Sequence, residues 1–508
     1  MKIGLDQTVV LGPPGCGKTT DLLKKVETCL SKGISSQRIG FVSFTRKAVT
    51  EAMARACEKF SLKIEDFPYF RTIHSLCFAL LEVKRGDIVG REHMNELGKI
   101  LGYKFGGTFD ESETGMPTGT DKGDQLLFID NFARVTMSTL KEAWALADSD
   151  INWYEQERMS TTFAKYKQNS GLLDFTDLLT LVCEKDISVD LDVVFIDEAQ
   201  DLSRLQWSVL QRVFRNVPQV FIAGDDDQSI YKWSGADVQT FLTLPGKKEL
   251  LSQSYRVPRK IHRLSTTIIT SIKHRYLKPY VPKDEEGIID QCQHLDYVKW
   301  SEEGTSLLLA RNVYLLKRFE SYLRSHGIPY MMRGGYSSVK TGHVEAILAW
   351  EALRKGEAIT GRAAKRIYEH MRIGRHLRRG AKTSITQLHD QDLVAKEQLT
   401  EHYHLIDVDQ IWHDALDGID IEQREFYLAI LRKKRKLTAP PTMSINTIHG
   451  VKGGEADHVV VVSDMSWRTY QEYQKAPDNE HRVAYVAVTR AKKRLTIVQP
   501  ATSLAYPY

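Results

Sequence analysis

No run of apolar residues approaches the roughly 18 needed to cross a bilayer as a helix, which argues against a helical membrane protein. Cysteine is sparse: Cys16, Cys29, Cys57, Cys77, Cys183 and Cys292 are scattered, with no C-x-x-C pair. That spacing argues against zinc, iron–sulfur and disulfide-scaffold classes and for a reducing compartment. The first residues lack a leader pattern, so a cytoplasmic location is expected. An excess of one charge is also missing. The 70 Lys and Arg against 65 Asp and Glu leave +5, a mildly basic balance compatible with nucleic acid without being evidence for it. Apolar content of 42% with 27% charged is ordinary for a globular chain, and 508 residues predict roughly three or four domains.

What the sequence does contain starts with Gly12-Pro-Pro-Gly-Cys-Gly-Lys-Thr19. It follows a β-prone run from Thr8 to Leu11 and leads into a stretch, Asp21 to Leu30, with apolar residues at helical spacing. Strand, glycine loop, lysine, hydroxyl, helix is the order of a P-loop. Gly12, Gly15 and Gly17 let backbone N–H groups close around phosphate oxygens, and the helix N-terminus adds a favourable dipole. Lys18 suits the β- and γ-phosphates, Thr19 suits Mg²⁺, and Thr20 lies beside them.

Downstream, an apolar strand from Ile39 to Phe44 ends in a polar turn. Phe44 is either core or a base-stacking platform, with Thr45, Arg46 and Lys47 on backbone phosphates. His74 closes another short strand, where a structural role competes with a binding one. Residues 82–165 change character. Gly and Thr are dense between Gly102 and Gly123, predicting a long loop, and helical pattern resumes from Gln125 to Lys167 with Trp144, Trp153, Tyr154 and Tyr166 read as exposed. This region is expected to be an inserted helical subdomain. Asp174 is a plausible N-cap.

The apolar run ending in Asp197-Glu198 reads as a parallel strand buried on both faces, with the acids at its carboxyl end, where ligands of such sheets sit. Asp197 suits Mg²⁺ and Glu198 a general base; a cluster at a helix N-cap is the alternative. A further strand, Val220 to Gly224, runs into Asp225-Asp-Asp-Gln-Ser-Ile-Tyr-Lys-Trp233. Gln228 is placed to sense a γ-phosphate and Trp233 to meet a nucleobase. Tyr255 beside Arg256 pairs a stacking ring with a phosphate contact. Residues 305–335 predict a second α/β sheet. Residues 341–438 are helical and basic in runs (362–366, 372–379, 432–436), either a solvated face or a surface for duplex. Met443 to Glu455 precedes a strand. Arg490, between an apolar helix and the last strand, suits an arginine finger.

In this order the segments resemble the UvrD/Rep/PcrA family of superfamily 1 DNA helicases. The P-loop looks like motif I, Ser43-Phe-Thr-Arg-Lys-Ala like Ia, Thr72-Ile-His-Ser like Ib, Asp197-Glu-Ala-Gln-Asp like II and Gly224-Asp-Asp-Asp-Gln-Ser-Ile-Tyr-Lys-Trp like III. Tyr255-Arg256 is similar to IV, Thr447-Ile-His-Gly-Val-Lys-Gly-Gly-Glu to V and Ala484-Tyr-Val-Ala-Val-Thr-Arg-Ala to VI. The resemblance implies an α/β fold of two RecA-like motor domains with parallel sheets, each interrupted by a mostly helical insertion: 1–81 with 166–250, insertion 82–165, then 251–340 with 439–508, insertion 341–438. It implies ATP and Mg²⁺ as cofactors and 3′–5′ movement on single-stranded DNA. By carry-over, Lys18, Thr19, Asp197, Glu198, Gln228, Arg256 and Arg490 hold or hydrolyse the nucleotide, Tyr255 stacks the adenine and Glu455 meets the ribose. Phe44, His74, Trp233, Thr447 and His449 line the DNA track.

Three departures stand out. The family's glutamine ahead of motif I has no counterpart, because Gln7 sits too near the loop; selectivity for adenine is therefore open. Arg46 replaces a neutral amide. The chain stops soon after motif VI, where relatives carry a duplex-splitting hairpin, so no fused nuclease is expected either. The leading expectation is an ATP-dependent helicase acting at single-strand/double-strand junctions as a monomer or weak oligomer, cytoplasmic, nucleoid-associated or, for a viral protein, in the host cytoplasm. The alternatives are a single-strand translocase with little unwinding, and an ATP-switched DNA-binding adaptor, against which the complete set of nucleotide residues argues.

Overall fold

The structure, a computed structural model, describes residues 1–44, 46–107, 119, 121–147, 149–300, 303–332, 334–406 and 409–508. Thr45 and most of the Gly/Thr-rich stretch lie outside them. The chain divides into two compact units, Met1–Gly287 with Glu472–Thr489, and Ile288–Gln471 with Arg490–Tyr508.

In the first unit, β1 (Asp6–Leu11), β2 (Ile39–Ser43), β3 (Phe70–Thr72), β4 (Val193–Asp197), β5 (Gln219–Gly224) and β6 (Lys247–Leu250) form one sheet in the order β3-β2-β4-β5-β1-β6. Every pairing is parallel. The apolar runs read from the sequence are continuous rather than alternating because helices cover both faces of such a sheet. The helix Lys18–Ser31 buries Leu22, Leu23, Val26 and Cys29, a one-sided stripe, against Val10, Phe41 and Phe195. The order β4-β5-β1 puts three functional loops side by side at the carboxyl ends of their strands: the P-loop after β1, Asp197 at the end of β4 and the Asp225 loop after β5.

Residues 82–165 contribute the helices Arg91–Leu101, Lys122–Thr136 and Leu140–Leu146 and the start of Trp153–Ser170, around a core of their own that includes Met94, Leu97, Leu126, Met159 and Phe163. Of the four aromatics read as exposed, only Tyr154 is; Trp144 and Tyr166 pack against that core and Trp144 Nε1 donates to the Ile151 carbonyl. Arg134 and Lys167 of the inserted helices both reach Asp174 and Asp177. Asp174 also caps its helix by accepting from the Asp177 N–H, as expected.

β7 (Gln253–Pro258) pairs in parallel with β8 (Val281–Lys283). The expected start of a second motor domain at 251 does not coincide with the division of the chain, for a reason visible in the bonding. Ser254 Oγ donates to the Pro14 carbonyl at 2.7 Å and the Tyr255 N–H donates to the Gly15 carbonyl at 2.8 Å, which straps this segment to the P-loop. The helix Pro477–Val488 also belongs to the first unit. Its Arg482 donates to the carbonyls of Asp226 and His274.

The second unit holds a second all-parallel sheet of β9 (Ile288–Cys292), β10 (Ser306–Ala310), β11 (Tyr330–Met331), β14 (Met443–Thr447), β15 (Ala456–Val462) and β16 (Ala491–Val498), ordered β11-β14-β10-β15-β16-β9. A small antiparallel pair, β12 (Ile359–Thr360) and β13 (Leu393–Val394), lies among the helices of 341–438. Those helices share the sheet's core: Trp350, Ile367 and Tyr427 belong to one apolar cluster with Leu308, Ile445 and Val460. Of the basic runs, Lys365 and Arg366 are paired with Asp390 and Glu369 and Arg375 with Asp417, and Arg372, Arg375, Arg378, Arg379 and 432–436 are exposed.

Candidate nucleotide site and nucleic-acid interface

The P-loop turns on two glycines in the left-handed region, Gly15 at φ 73° and Gly17 at φ 81°. Gly15 must be glycine for a second reason: a Cβ built there would lie 2.4 Å from the Cβ of Arg256. The Tyr255–Arg256 segment therefore presses directly on the phosphate loop. Lys18 is buried over that loop and donates to the carbonyls of Gly12 at 2.8 Å and Pro13 at 3.4 Å. Thr19 Oγ1 donates to Asp197 Oδ2 at 2.6 Å, bringing together the two residues expected to hold Mg²⁺; Thr20 is exposed. Burial, then the charge of Glu198, pushes Asp197 up to about 6, against the hydrogen bond from Thr19. A buried carboxylate and a hydroxyl are hard oxygen donors of the kind Mg²⁺ takes. A cation there would stabilise the ionised carboxylate.

Glu198 sits at φ 53°, ψ 38°, a left-handed conformation that a non-glycine residue holds only when its surroundings impose it. Its carboxylate accepts from Gln200 Nε2 at 2.5 Å. Gln228 is buried and donates through Nε2 to Asp225 Oδ2 at 2.7 Å. The carboxylates of Asp225, Asp226 and Asp227 converge within 4.8 Å, the one such group of ligand-type side chains among the described residues. An internal cation already serves them. Lys278 Nζ lies 2.8, 2.7 and 2.7 Å from the three, and Arg275 lies 2.6 Å from Asp227. Burial pulls the Lys278 pKa down, but the three aspartates outweigh it and raise it. In turn Lys278 and Lys18 outweigh burial at Asp225 and lower its pKa. Sequence reasoning missed Gln200, Asp225, Lys278 and Arg482. The first two stood in quoted motifs; Lys278 carries no local signal at all.

Gln7 does not offer its amide to a base. It is buried, accepts from the Ile3 N–H and donates to the Pro245 carbonyl. Tyr255 is 76% exposed. In the second unit Arg490 is buried, with Nη1 3.4 Å from the Gly454 carbonyl, and Glu455 is exposed, 3.6 Å from Lys492 Nζ.

At the carboxyl ends of β2 and β3 a cavity of about 840 Å³ is lined by Phe44, Arg46, Phe70, Arg71, His74 and Phe175 among others. Phe44 is 5% exposed and packs on Tyr231 with centroids 5.3 Å apart, so it forms a wall of the cavity rather than an open platform. Burial pulls His74 down to about 4, leaving a neutral imidazole at pH 7. Trp233, 43% exposed, extends an aromatic series the sequence did not reveal. It stacks with Phe128 of the inserted helix at 6.4 Å and 11°, and Phe128 with Phe132 at 6.1 Å and 18°. In the second unit Thr447 is buried and its hydroxyl accepts from the Gly450 N–H, while His449 is partly exposed in the turn that follows β14. Among the described residues no helix is long and apolar enough to cross a membrane.

Fold and loops define a P-loop nucleotide-binding α/β protein with two parallel sheets. The sequence model of the UvrD/REP helicase N-terminal domain matches residues 3–249 and that of the UvrD-like helicase C-terminal domain matches 432–501, together more than half the chain. The chain belongs to the UvrD/REP helicase family. It is 24% identical to ATP-dependent DNA helicase Rep of Escherichia coli, over 67% of this chain and 55% of that one. It is 24% identical to DNA helicase II of Haemophilus influenzae, over 97% of this chain and 82% of that one. It is 22% identical to ATP-dependent DNA helicase PcrA of Staphylococcus epidermidis, over 67% and 51%. The match thus spans about half the length of Rep and PcrA.

Gly15→Ala combines a left-handed backbone with a clash against Arg256. Nucleotide affinity, read by titration with a fluorescent ATP analogue, is expected to fall at least about tenfold, the equivalent of about 1.4 kcal/mol and within the usual strain cost. Gly33→Ala, also at positive φ but with open space around the added Cβ, should leave that affinity unchanged.

Proposed function

We propose that this chain is an ATP-driven motor on single-stranded DNA that moves 3′ to 5′ and opens duplex ahead of it. One observation carries the reading. A single sheet edge presents the P-loop, Asp197, Glu198 and Gln228 at the ends of β1, β4 and β5 and, beside them, the Phe44–His74 cavity at the ends of β2 and β3. Nucleotide and polymer residues thus share one rigid framework. The relatives' names, ATP-dependent DNA helicase Rep and PcrA among them, favour the same reading.

On this reading Thr19 and Asp197 hold Mg²⁺, which when bound neutralises charge on the β- and γ-phosphate oxygens. Lys18 exchanges the carbonyls of Gly12 and Pro13 for phosphate oxygens. Glu198 accepts the proton of the attacking water. Gln228, oriented by Asp225, contacts the γ-phosphate. Arg256 takes up the charge that develops on it, and the family resemblance gives Arg490 the same role. Tyr255 stacks on the base and Glu455 meets the ribose. DNA runs past Arg46, His74 and Trp233, and the family resemblance makes Thr447 and His449 DNA contacts as well. The division into two motor domains with insertions at 82–165 and 341–438, the monomeric or weakly oligomeric state and a cytoplasmic or nucleoid location belong to the same proposal.

Strand displacement tests it. A duplex with a 3′ single-stranded tail should be unwound and one with a 5′ tail should not; unwinding from the 5′ tail alone would overturn the polarity. Trp233→Ala should weaken single-strand binding by about 1–3 kcal/mol, and Phe128→Ala by less, in a fluorescence anisotropy titration. Unchanged affinity in Trp233→Ala would return that ring to a packing role.

A further inference from the structure

A buried amide joins the ends of β4 and β5, bonding the Glu198 and Asp201 carboxylates on one side and the Asp225 backbone N–H on the other. Gln200 is fully buried. Its Oε1 accepts from the backbone N–H of Asp225 at 2.9 Å. A backbone N–H only donates, so the amide oxygen must face Asp225 and the amide nitrogen must face the acids. Nε2 accordingly donates to Glu198 at 2.5 Å and to Asp201 at 3.1 Å. The main chain takes part too, the Gln200 carbonyl accepting from Ser229 Oγ at 2.9 Å. Gly224 makes room for this arrangement, since a Cβ there would lie 2.6 Å from Gln200 Oε1.

We propose that Gln200 is a positioning residue that fixes the Glu198 carboxylate and the Gln228-bearing loop in one register. The inference rests on the functional reading above and deepens it. Glu198 departs from the ordinary backbone conformation and needs an imposed orientation. The donor that imposes it comes from the side chain whose other end is pinned to Asp225, and Asp225 holds Gln228. One amide therefore links the group that accepts the water's proton to the group that contacts the γ-phosphate. Two hydrogen bonds through the Gln200 side chain connect the loop after β5 to the Glu198 carboxylate.

The test uses the full chain, with ATP as substrate and saturating single-stranded DNA. Gln200→Glu keeps the volume and the acceptor for Asp225 but places a carboxyl group opposite Glu198; Gln200→Met keeps the volume and removes both bonds. Both are expected to lower kcat on the order of 10²-fold, with KM for ATP and affinity for DNA within about threefold of the parent. Combining Gln200→Met with Gln228→Ala should cost much less than the product of the single effects, because the two act as a unit. Thermal melting within a few degrees of the parent shows that a variant is folded. If Gln200→Met does not fold, Gln200→Glu alone decides. Parental kcat in a folded Gln200→Glu, a rise of KM in step with the fall of kcat, or multiplicative effects in the double variant would overturn the proposal. A parent chain that hydrolyses no ATP would instead sink the functional reading beneath it.

Discussion

Thr19 and Asp197 meet at 2.6 Å although they lie 178 positions apart, one in the helix after β1 and the other at the end of β4. The contact depends on the sheet. With β5 between β4 and β1, the loop after β1 and the last residue of β4 open on the same edge, and the helix from Lys18 begins where an anion would be met by free N–H groups. Everything else in the nucleotide site is arranged around that pair. Arg256 presses on Gly15 from above the loop, Glu198 follows Asp197 in a strained turn, and Gln228 leaves the neighbouring strand end. A parallel sheet covered on both faces has little freedom to shift these ends relative to one another.

The second constraint is electrostatic. Three buried aspartates in succession would repel one another severely; Arg275 and Lys278 of one segment pair with their carboxylates, and Arg482 of another donates to the Asp226 carbonyl. Such a network contributes little net stability, because desolvation consumes most of the Coulomb gain. It does fix geometry, since removing any one partner leaves a buried charge exposed to the others. The loop bearing Gln228 is therefore held from both sides, by Gln200 through Asp225 and by Lys278 through all three acids.

Much of this was legible in the sequence, and for physical reasons. The P-loop, Asp197-Glu198 and the strand-end positions of the segments after β1, β2, β4 and β5 follow from local spacing and from the apolar runs that parallel strands require. Partners distant in sequence were not legible. Nothing near Lys278 announces that it neutralises residues some fifty positions earlier, and Phe128 gains meaning only once Trp233 stacks on it. Trp144 and Tyr166 went the other way. Their polar neighbours suggested exposure, but a small helical core needs large rings and takes both. Phe44 is packed against Tyr231 and forms a wall of the cavity. The grouping of 251–287 with the P-loop rests on backbone bonds from Tyr255 and a hydroxyl bond from Ser254, interactions that leave no periodicity to detect.

The central claim is that one sheet edge couples nucleotide hydrolysis to single-stranded DNA. The most direct measurement is the steady-state ATP hydrolysis rate of the full chain with and without saturating single-stranded DNA. The account predicts a rate that rises severalfold or more with DNA and saturates with its concentration. Hydrolysis that proceeds at one rate regardless of DNA would contradict it.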